Sequence, residues 1–520
     1  MVFDKGKKLV CLVAIDIVVF KDLKRNLISR SNLKFKGKYD IEKTMKGNDK
    51  MAKGKMALKF DFNNVMAELL GENGISEGEI AALCGKIEAA SGAMLTDRDK
   101  KMAWRNLPYN QDEIVREILD YVAEVKDDFD TFVVLGIGGS ALGPMAVQQA
   151  LNHPYYNELS REKRGGFPRL YIADNVDPER LVYLFDIIDL EKTLFNVVSK
   201  SGSTSETMSQ FMIIKEMLES KLGKEKAKEH IVATTDKEKG NLIKIAKDEG
   251  YKIFYVPSDV GGRFSELTPV GLLAAAFCGI DIKELLAGAA FMDEICKEAN
   301  IYKNPAHMYA LINYIAMERG MPISVMMPYA DSLKYMSDWY GQLWAESLGK
   351  RLDNDGNVVN VGPTPVKALG ATDQHSQVQL YVEGPSDKIV VFVGVDKYKE
   401  EITIPKIFGD IPSIGFLGGV TQNTLIQYEQ IATEYALLKN GKMNMTITFP
   451  EVNAFTVGQF IYMLEVATGF AGELMNINAF DQPGVEEGKN ATYALFGHPG
   501  YEEKRKELDS RPSKNPKYVI

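Results

Sequence analysis

The chain has 520 residues, 45% hydrophobic and 26% charged, with a formal net charge of −9 and a pI near 5.4. That composition belongs to a globular protein with room for more than one domain, and its acidity argues against nucleic acid or an anionic membrane as a partner. Four scattered cysteines (Cys11, Cys84, Cys278, Cys296) and five histidines without metal-ligand spacing point to a reduced, cytoplasmic setting and to no structural metal.

Leu9 to Phe20 is an apolar run broken by Asp16 and too short to span a bilayer. From Lys34 to Lys55 lysines alternate with small and polar residues without a helical or strand period. Residues 1–55 therefore read as a disordered or non-native extension, with the native part beginning near Met51. Residues 56–110 read as a helical segment, with two helices between Asn63 and Ala93 joined at Gly71–Ser76. Ser76 followed by Glu77 and Glu79 is a helix N-terminus signal.

After a helix over Gln111–Val125, the apolar strand Phe132–Leu135 runs into Gly136-Ile137-Gly138-Gly139-Ser140-Ala141-Leu142-Gly143-Pro144 and a helix through Leu151. A strand, a glycine-rich turn and a helix suit dinucleotide binding, but the spacing departs from G-x-G-x-x-G, and no acidic residue clearly ends the next strand. What the turn does provide is close backbone approach, to a ligand or to a packed helix. Further strands at Arg169–Ile172, Leu194–Val198, His230–Thr234 and Lys252–Val256 alternate with helical stretches, which predicts a parallel sheet wound on both faces.

The strand Leu194–Val198 leads into Ser199-Lys200-Ser201-Gly202-Ser203-Thr204-Ser205-Glu206-Thr207, where six of nine residues carry a hydroxyl. A loop of this kind at a strand's carboxyl end aims hydroxyls, amides and a helix N-terminus at one anion, and phosphate is the obvious one. A capping box between Ser203 and Glu206 is the competing reading. Val260-Gly261-Gly262-Arg263-Phe264-Ser265 follows, then helices over Pro269–Gly279, Ile282–Cys296 and Ala306–Glu318. A second series of strands, Ile323–Met327, Val378–Tyr381, Ile389–Val395 and Met443–Thr448, predicts a second α/β lobe. Helices over Gln422–Asn440, Ala454–Phe470 and Glu486–Leu508 close the chain.

Three polar groups stand out in the second half. Gln342 and Glu346 are four apart in a helix-like window, so they share a face. A carboxylate desolvated beside Trp339 and Trp344 suits general-base work, whereas pairing with Lys350 is the ordinary alternative. His375 lies in the polar run Thr372–Leu380 ahead of a predicted strand, where proton transfer and a structural role both remain open. Lys489 follows Phe480-Asp481-Gln482-Pro483-Gly484, near a helix N-terminus where its charge opposes the macrodipole.

Taken together, in this order, these stretches resemble the glucose-6-phosphate isomerase (phosphoglucose isomerase) family in its bacterial form, from about Met56 to near the C-terminus. The runs Val260–Ser265 and Phe480–Lys489 are similar to that family's signature patterns. The resemblance implies two sugar-isomerase (SIS)-type lobes at 111–288 and 289–480, each a mainly parallel sheet flanked by helices, with a C-terminal helical segment at 481–520. It also implies interconversion of glucose 6-phosphate and fructose 6-phosphate without a cofactor or metal. Ser199, Ser201, Thr204 and Thr207, with the Lys200 amide, would hold the phosphate, and Gly139 and Ser140 would line the sugar site. Gln342 and Gln482 would bind hydroxyls or the phosphate end. Glu346 matches the base that carries a proton between C2 and C1, and Arg263 the cation beside the enediolate. His375 and Lys489 match the pair that opens the ring, with His375 reaching the site of a neighbouring subunit in a homodimer. The loop departs from the family's eukaryotic members, where a Thr-Phe-Thr run stands in place of Ser201-Gly202-Ser203. A broader phosphosugar isomerase and a phosphosugar sensor are the competing readings. A sensor would have no need of Glu346, Arg263, His375 and Lys489 together.

Overall fold

The computed structural model describes residues 53–520, and the extension read before Met51 lies outside the described residues. Lys55 to Ile520 form one compact unit built on two five-stranded sheets. The first sheet contains β2 (Thr131–Leu135), β3 (Arg169–Ala173), β4 (Thr193–Val198), β5 (Ile231–Asp236) and β6 (Lys252–Val256), in the spatial order β3-β2-β4-β5-β6, all parallel. The second contains β1 (Lys59–Asp61), β7 (Ile323–Pro328), β10 (Thr364–Lys367), β11 (Lys388–Lys397) and β12 (Asn444–Glu451), in the order β1-β12-β11-β7-β10. Four of its strands are parallel, and β1 closes the edge antiparallel to β12. A small antiparallel pair, β8 (Lys350–Leu352) and β9 (Val358–Val361), stands apart.

Strands buried on both faces read as continuous apolar runs, and β2, β4 and β5 are buried along their whole length. Their period of two still assigns each side chain to a layer. Phe132 and Val134 of β2 join the large central core, while Val133 and Leu135 join an outer cluster with Phe195, Val197 and Phe211. The second sheet divides in the same way, with Val391 and Val393 facing the central core and Val390 and Phe392 facing outward. Through the central core runs the Ala454–Leu474 helix. It is apolar and long enough to cross a membrane, yet 94% of its apolar window is buried inside the protein.

Several sequence expectations change. The stretch 56–110 is not helical throughout, because its first residues form β1 and join the second sheet. Ser76 and Glu79 do form a reciprocal capping box. Val378–Tyr381 is not a strand but the start of a helix, Val378–Glu383. The alternation there fits both periods, and Val378, Tyr381 and Val382 at i, i+3 and i+4 pack on the outer cluster. β10 escaped the sequence reading because Pro365 argues against a strand. As an edge strand pairing only with β7 it tolerates the missing N–H. The closing helix breaks into Glu486–Leu495 and Glu502–Asp509 around Gly497 and Gly500, both at positive φ.

Candidate active site

In the first sheet the chain passes from β2 outward to β3 and then returns to β4 on the other side of β2. The loops after β2 and β4 therefore diverge at their carboxyl ends and leave a crevice, the place where open α/β sheets bind ligands. The glycine-rich turn leaves β2 and the hydroxyl loop leaves β4. Between them lies a cavity of about 470 Å³ lined by Ile137, Ser140, Ser199, Ser201, Thr204 and Thr207, among others.

The hydroxyl loop is held in shape by its own side chains. Ser199 Oγ lies 3.1 Å from Thr204 Oγ1 and accepts from the Gly202 amide at 3.0 Å. Gly202 sits at φ +63, and a Cβ there would fall 2.0 Å from the Leu242 amide nitrogen, so only glycine fits. The helix that follows starts at Ser205 with Thr204 as its N-cap and no side-chain cap. The Ser203–Glu206 capping box is thus not formed; Ser203 Oγ donates instead to Ser201 Oγ at 2.9 Å. Thr207, one turn in, is buried, and among the described residues its hydroxyl has no protein partner. An uncapped helix start, clustered hydroxyls and one unpaired buried hydroxyl are an arrangement suited to an anion. Lys200 turns away from the cavity floor, its ammonium donating to the carbonyls of Ser258 at 2.5 Å and Val260 at 2.9 Å; burial lowers its basicity.

A second polar group adjoins this cavity through the glycine turn. A Cβ on Gly139 would stand 2.3 Å from the Gly262 carbonyl, so the two glycine turns lie backbone against backbone, and Gly138 lies beside the Gln342 amide. Arg263 follows Gly262 and is almost wholly buried. Its Nε donates to Ser347 Oγ at 2.7 Å, Nη1 to Gln482 Oε1 at 3.1 Å, and Nη2 to the carbonyls of Ala479 and Asp481 at 2.7 and 3.0 Å. Nη1 also lies 3.3 Å from Glu346 Oε1. Burial lowers the pKa of this guanidinium, and Glu346 and Asp481 oppose that effect. Glu346 Oε2 accepts from Gln342 Nε2 at 2.9 Å, so both carboxylate oxygens are oriented while the side chain remains 26% exposed.

The tryptophan argument does not hold. Trp339 and Trp344 are buried on the core side of the Lys334–Leu348 helix, where Trp344 stacks on Tyr340, and the Glu346 carboxylate faces Arg263 and Gln342 instead. Lys350 does not pair with the Glu346 carboxylate either. Its ammonium caps the helix by donating to the carbonyls of Glu346 at 3.0 Å and Ser347 at 2.8 Å. Ser347 is a site residue that sequence reasoning missed, since a lone helical serine carries no signal.

The structure therefore brings Ser199, Ser201, Thr204, Thr207 and Ser140 to one cavity, and Arg263, Glu346, Gln342 and Gln482 to one cluster joined to it through Gly138 and Gly139. It does not bring in His375 or Lys489. His375 ends an exposed 3₁₀ turn, Thr372–His375, and among the described residues no hydrogen bond or ion pair joins it to the cluster. Lys489 is 51% exposed and paired with Glu486 at 2.9 Å. Tyr493, one helical turn further on the same face, donates to the Ser203 carbonyl at 3.4 Å, so the Lys489 helix leans on the hydroxyl loop.

A cavity suited to an anion at the switch point of a parallel sheet, joined to an oriented carboxylate–guanidinium pair, fits the class of α/β sugar-isomerase-type enzymes. The model of one family, described as phosphoglucose isomerase, matches residues 119–515. A glucose-6-phosphate isomerase of Carboxydothermus hydrogenoformans is 53% identical over 89% of this chain and all of its own length, and one of Rubrobacter xylanophilus 44% over 85% and 98%. Among solved structures, a hypothetical protein of Thermus thermophilus aligns with a TM-score of 0.75 and 37% identity over 85% of this chain and all of its own. A glucose-6-phosphate isomerase of Chlamydia trachomatis, at 20% identity, shares the fold with a TM-score of 0.72 over 86% and 96%. The chain belongs to the phosphoglucose isomerase family.

Proposed function

We infer that this protein interconverts glucose 6-phosphate and fructose 6-phosphate, a step of glycolysis and gluconeogenesis, by proton transfer through a cis-enediolate. The observation that carries the reading is the Glu346 carboxylate, oriented by Arg263 at 3.3 Å and Gln342 at 2.9 Å and separated from the hydroxyl cavity only by the glycine turn. The phosphate sits among Ser199, Ser201, Thr204 and Thr207 at the helix N-terminus, with the Lys200 amide. The sugar runs past Gly139 and Ser140, and Gln342 and Gln482 meet its hydroxyls. Glu346 takes the proton from C2 of the open-chain aldose and returns it to C1. The Arg263 guanidinium faces the oxyanion that develops and needs no reorganisation, since four hydrogen bonds already fix it.

His375 and Lys489 open the ring before this step, and His375 acts in the site of a second subunit. Its exposure supports that assignment. So does a neighbouring apolar surface on which Tyr428, Ile431 and Tyr435 recur along one face of the Gln422–Lys439 helix, with Leu380 and the Ile402–Phe416 segment also exposed. A homodimer through this face brings each His375 to its neighbour. A cytoplasmic setting belongs to the same reading.

The test is a coupled assay with fructose 6-phosphate on the unmodified chain and on Glu346→Gln. The amide keeps the shape and the bond from Gln342 but removes the base. Turnover should fall by about 10³-fold with phosphosugar affinity retained. Undiminished turnover in this variant overturns the assignment.

A further inference from the structure

An acidic chain that binds a phosphate dianion must supply positive charge locally, and the hydroxyl loop supplies only dipoles. Two lysines line the cavity, Lys200 and Lys239. The Lys200 ammonium is committed to two carbonyls and is half-buried beneath the loop. Lys239 differs. It is exposed at the cavity wall, and among the described residues no hydrogen bond or ion pair occupies its ammonium.

Its backbone, by contrast, is fixed. The 236–240 turn leaves the carboxyl end of β5, and the Asp236 carboxylate accepts from the amides of Glu238 at 2.9 Å and Lys239 at 3.0 Å. On either side of that turn, Thr235 Oγ1 donates to the Ser199 carbonyl at 2.8 Å, and the Asn241 amide donates to the Ser201 carbonyl at 2.9 Å. The turn is thus stitched to the hydroxyl loop at both ends. Asp236 spends its hydrogen bonds on amides, and its charge attracts the Lys239 ammonium without a hydrogen bond or ion-pair contact between them. Burial holds Lys200 in place, whereas Lys239 keeps a long, unpaired side chain on a fixed base.

We propose that Lys239 is a further substrate-binding residue, a cation that swings over the mouth of the hydroxyl cavity and pairs with the phosphate of the bound sugar. The assignment rests on the isomerase reading for the identity of the substrate, but not for the anion. Lys239 touches no reacting atom, so its contribution is to KM and to association, not to the chemical step. Because the pair is near the surface, the effect is modest and salt-dependent.

The experiment compares the unmodified chain with Lys239→Gln, Lys239→Arg and, as a control on the same turn, Lys237→Gln. Fructose 6-phosphate kinetics are read at low and high ionic strength, and inorganic phosphate binding by calorimetry. Lys239→Gln should raise KM about fivefold at low salt with kcat within about twofold, and weaken phosphate binding by a similar factor. Lys239→Arg and Lys237→Gln should stay near the unmodified chain, and the difference should shrink at about 0.3 M salt. Unchanged KM and unchanged phosphate affinity in Lys239→Gln overturn the proposal, as does equal impairment in Lys239→Arg. If the unmodified chain binds phosphate but turns over no fructose 6-phosphate, the isomerase reading fails while the calorimetry still decides Lys239. Failure of the unmodified chain to bind phosphate at all overturns the Lys239 assignment, while turnover still decides the isomerase reading.

Discussion

The two sheets repeat one topology and use it in opposite ways. β3-β2-β4-β5 and β10-β7-β11-β12 have the same order and direction, so each lobe has a switch point between its first and third strands. In the first lobe β2 is followed by Gly136-Ile137-Gly138-Gly139, and the crevice stays open with hydroxyls around it. In the second lobe β7 is followed by Tyr329, fully buried, whose hydroxyl donates to Gln374 at 2.7 Å and whose carbonyl accepts from Tyr398 at 2.6 Å. Its ring stands where a Cβ on Gly370 would be, 2.4 Å away. One crevice is open; the other is occupied by an aromatic ring that packs against the 369–375 segment carrying His375. Identical backbone topology thus leaves an open crevice or a filled one according to side-chain volume at one or two positions.

Emptying the second crevice should have the largest effect. Tyr329→Ala removes a buried ring and should cost about 3–5 kcal/mol, read as a fall of several degrees in the thermal midpoint, with activity reduced as the His375 segment loosens. Tyr329→Phe, which keeps the ring and loses the hydroxyl that donates to Gln374, should cost about 1 kcal/mol. Similar losses in both variants would mean the ring is not what supports the segment. Filling the first crevice comes next. Gly139→Val forces the two glycine turns apart and should lower kcat/KM about 100-fold with a smaller change in thermal midpoint, since the site and not the core is displaced. Thr207→Val should raise KM for fructose 6-phosphate about tenfold while leaving the thermal midpoint equal or slightly raised, because the lost hydroxyl has no partner among the described residues. A lowered midpoint would instead mark Thr207 as structural.

The smallest effect concerns buried carboxyls. Asp293, also buried, lies among Arg98, Arg105, Tyr109 and Tyr462. Burial pushes its pKa up, but the Tyr462 hydroxyl and the arginines outweigh this and bring it to about 2. Glu266, three residues after Arg263, and Glu465 on the central helix are buried with no partner for any of their four oxygens among the described residues. Burial raises the pKa of both well above 4.5, and the Glu266 charge adds to the rise at Glu465. The unfolded chain ionises near 4.5 while the fold keeps the proton, so each group costs stability as pH rises from that value toward the folded one. Glu266→Gln should therefore flatten the dependence of the thermal midpoint on pH and raise the midpoint above that of the unmodified chain at pH 8, with little difference at pH 5. A parallel pH dependence in the two proteins would show that Glu266 is ionised in the fold.

Much of this was legible from residues alone. The strands of the first sheet, buried on both faces, are runs such as Phe132–Leu135 and Leu194–Val198 that admit few other structures, and the observed ends differ from the reading by one or two residues. The hydroxyl loop announced itself by density of one chemical type, and Arg263, Glu346 and Gln482 by resemblance. Short segments were less legible. Val378–Tyr381 satisfies two periods at once, and Pro365 disguises an edge strand. Local pattern by itself determined the alternation of elements, the parallel sheets and the placing of the hydroxyl loop at a strand's carboxyl end, because periodicity and turn chemistry act within a few residues. Only the tertiary structure decided that Glu346 faces Arg263 and not its tryptophans, and that one of two equivalent crevices is open. Those outcomes depend on contacts between residues up to 219 positions apart, as between Arg263 and Gln482, which no local pattern encodes.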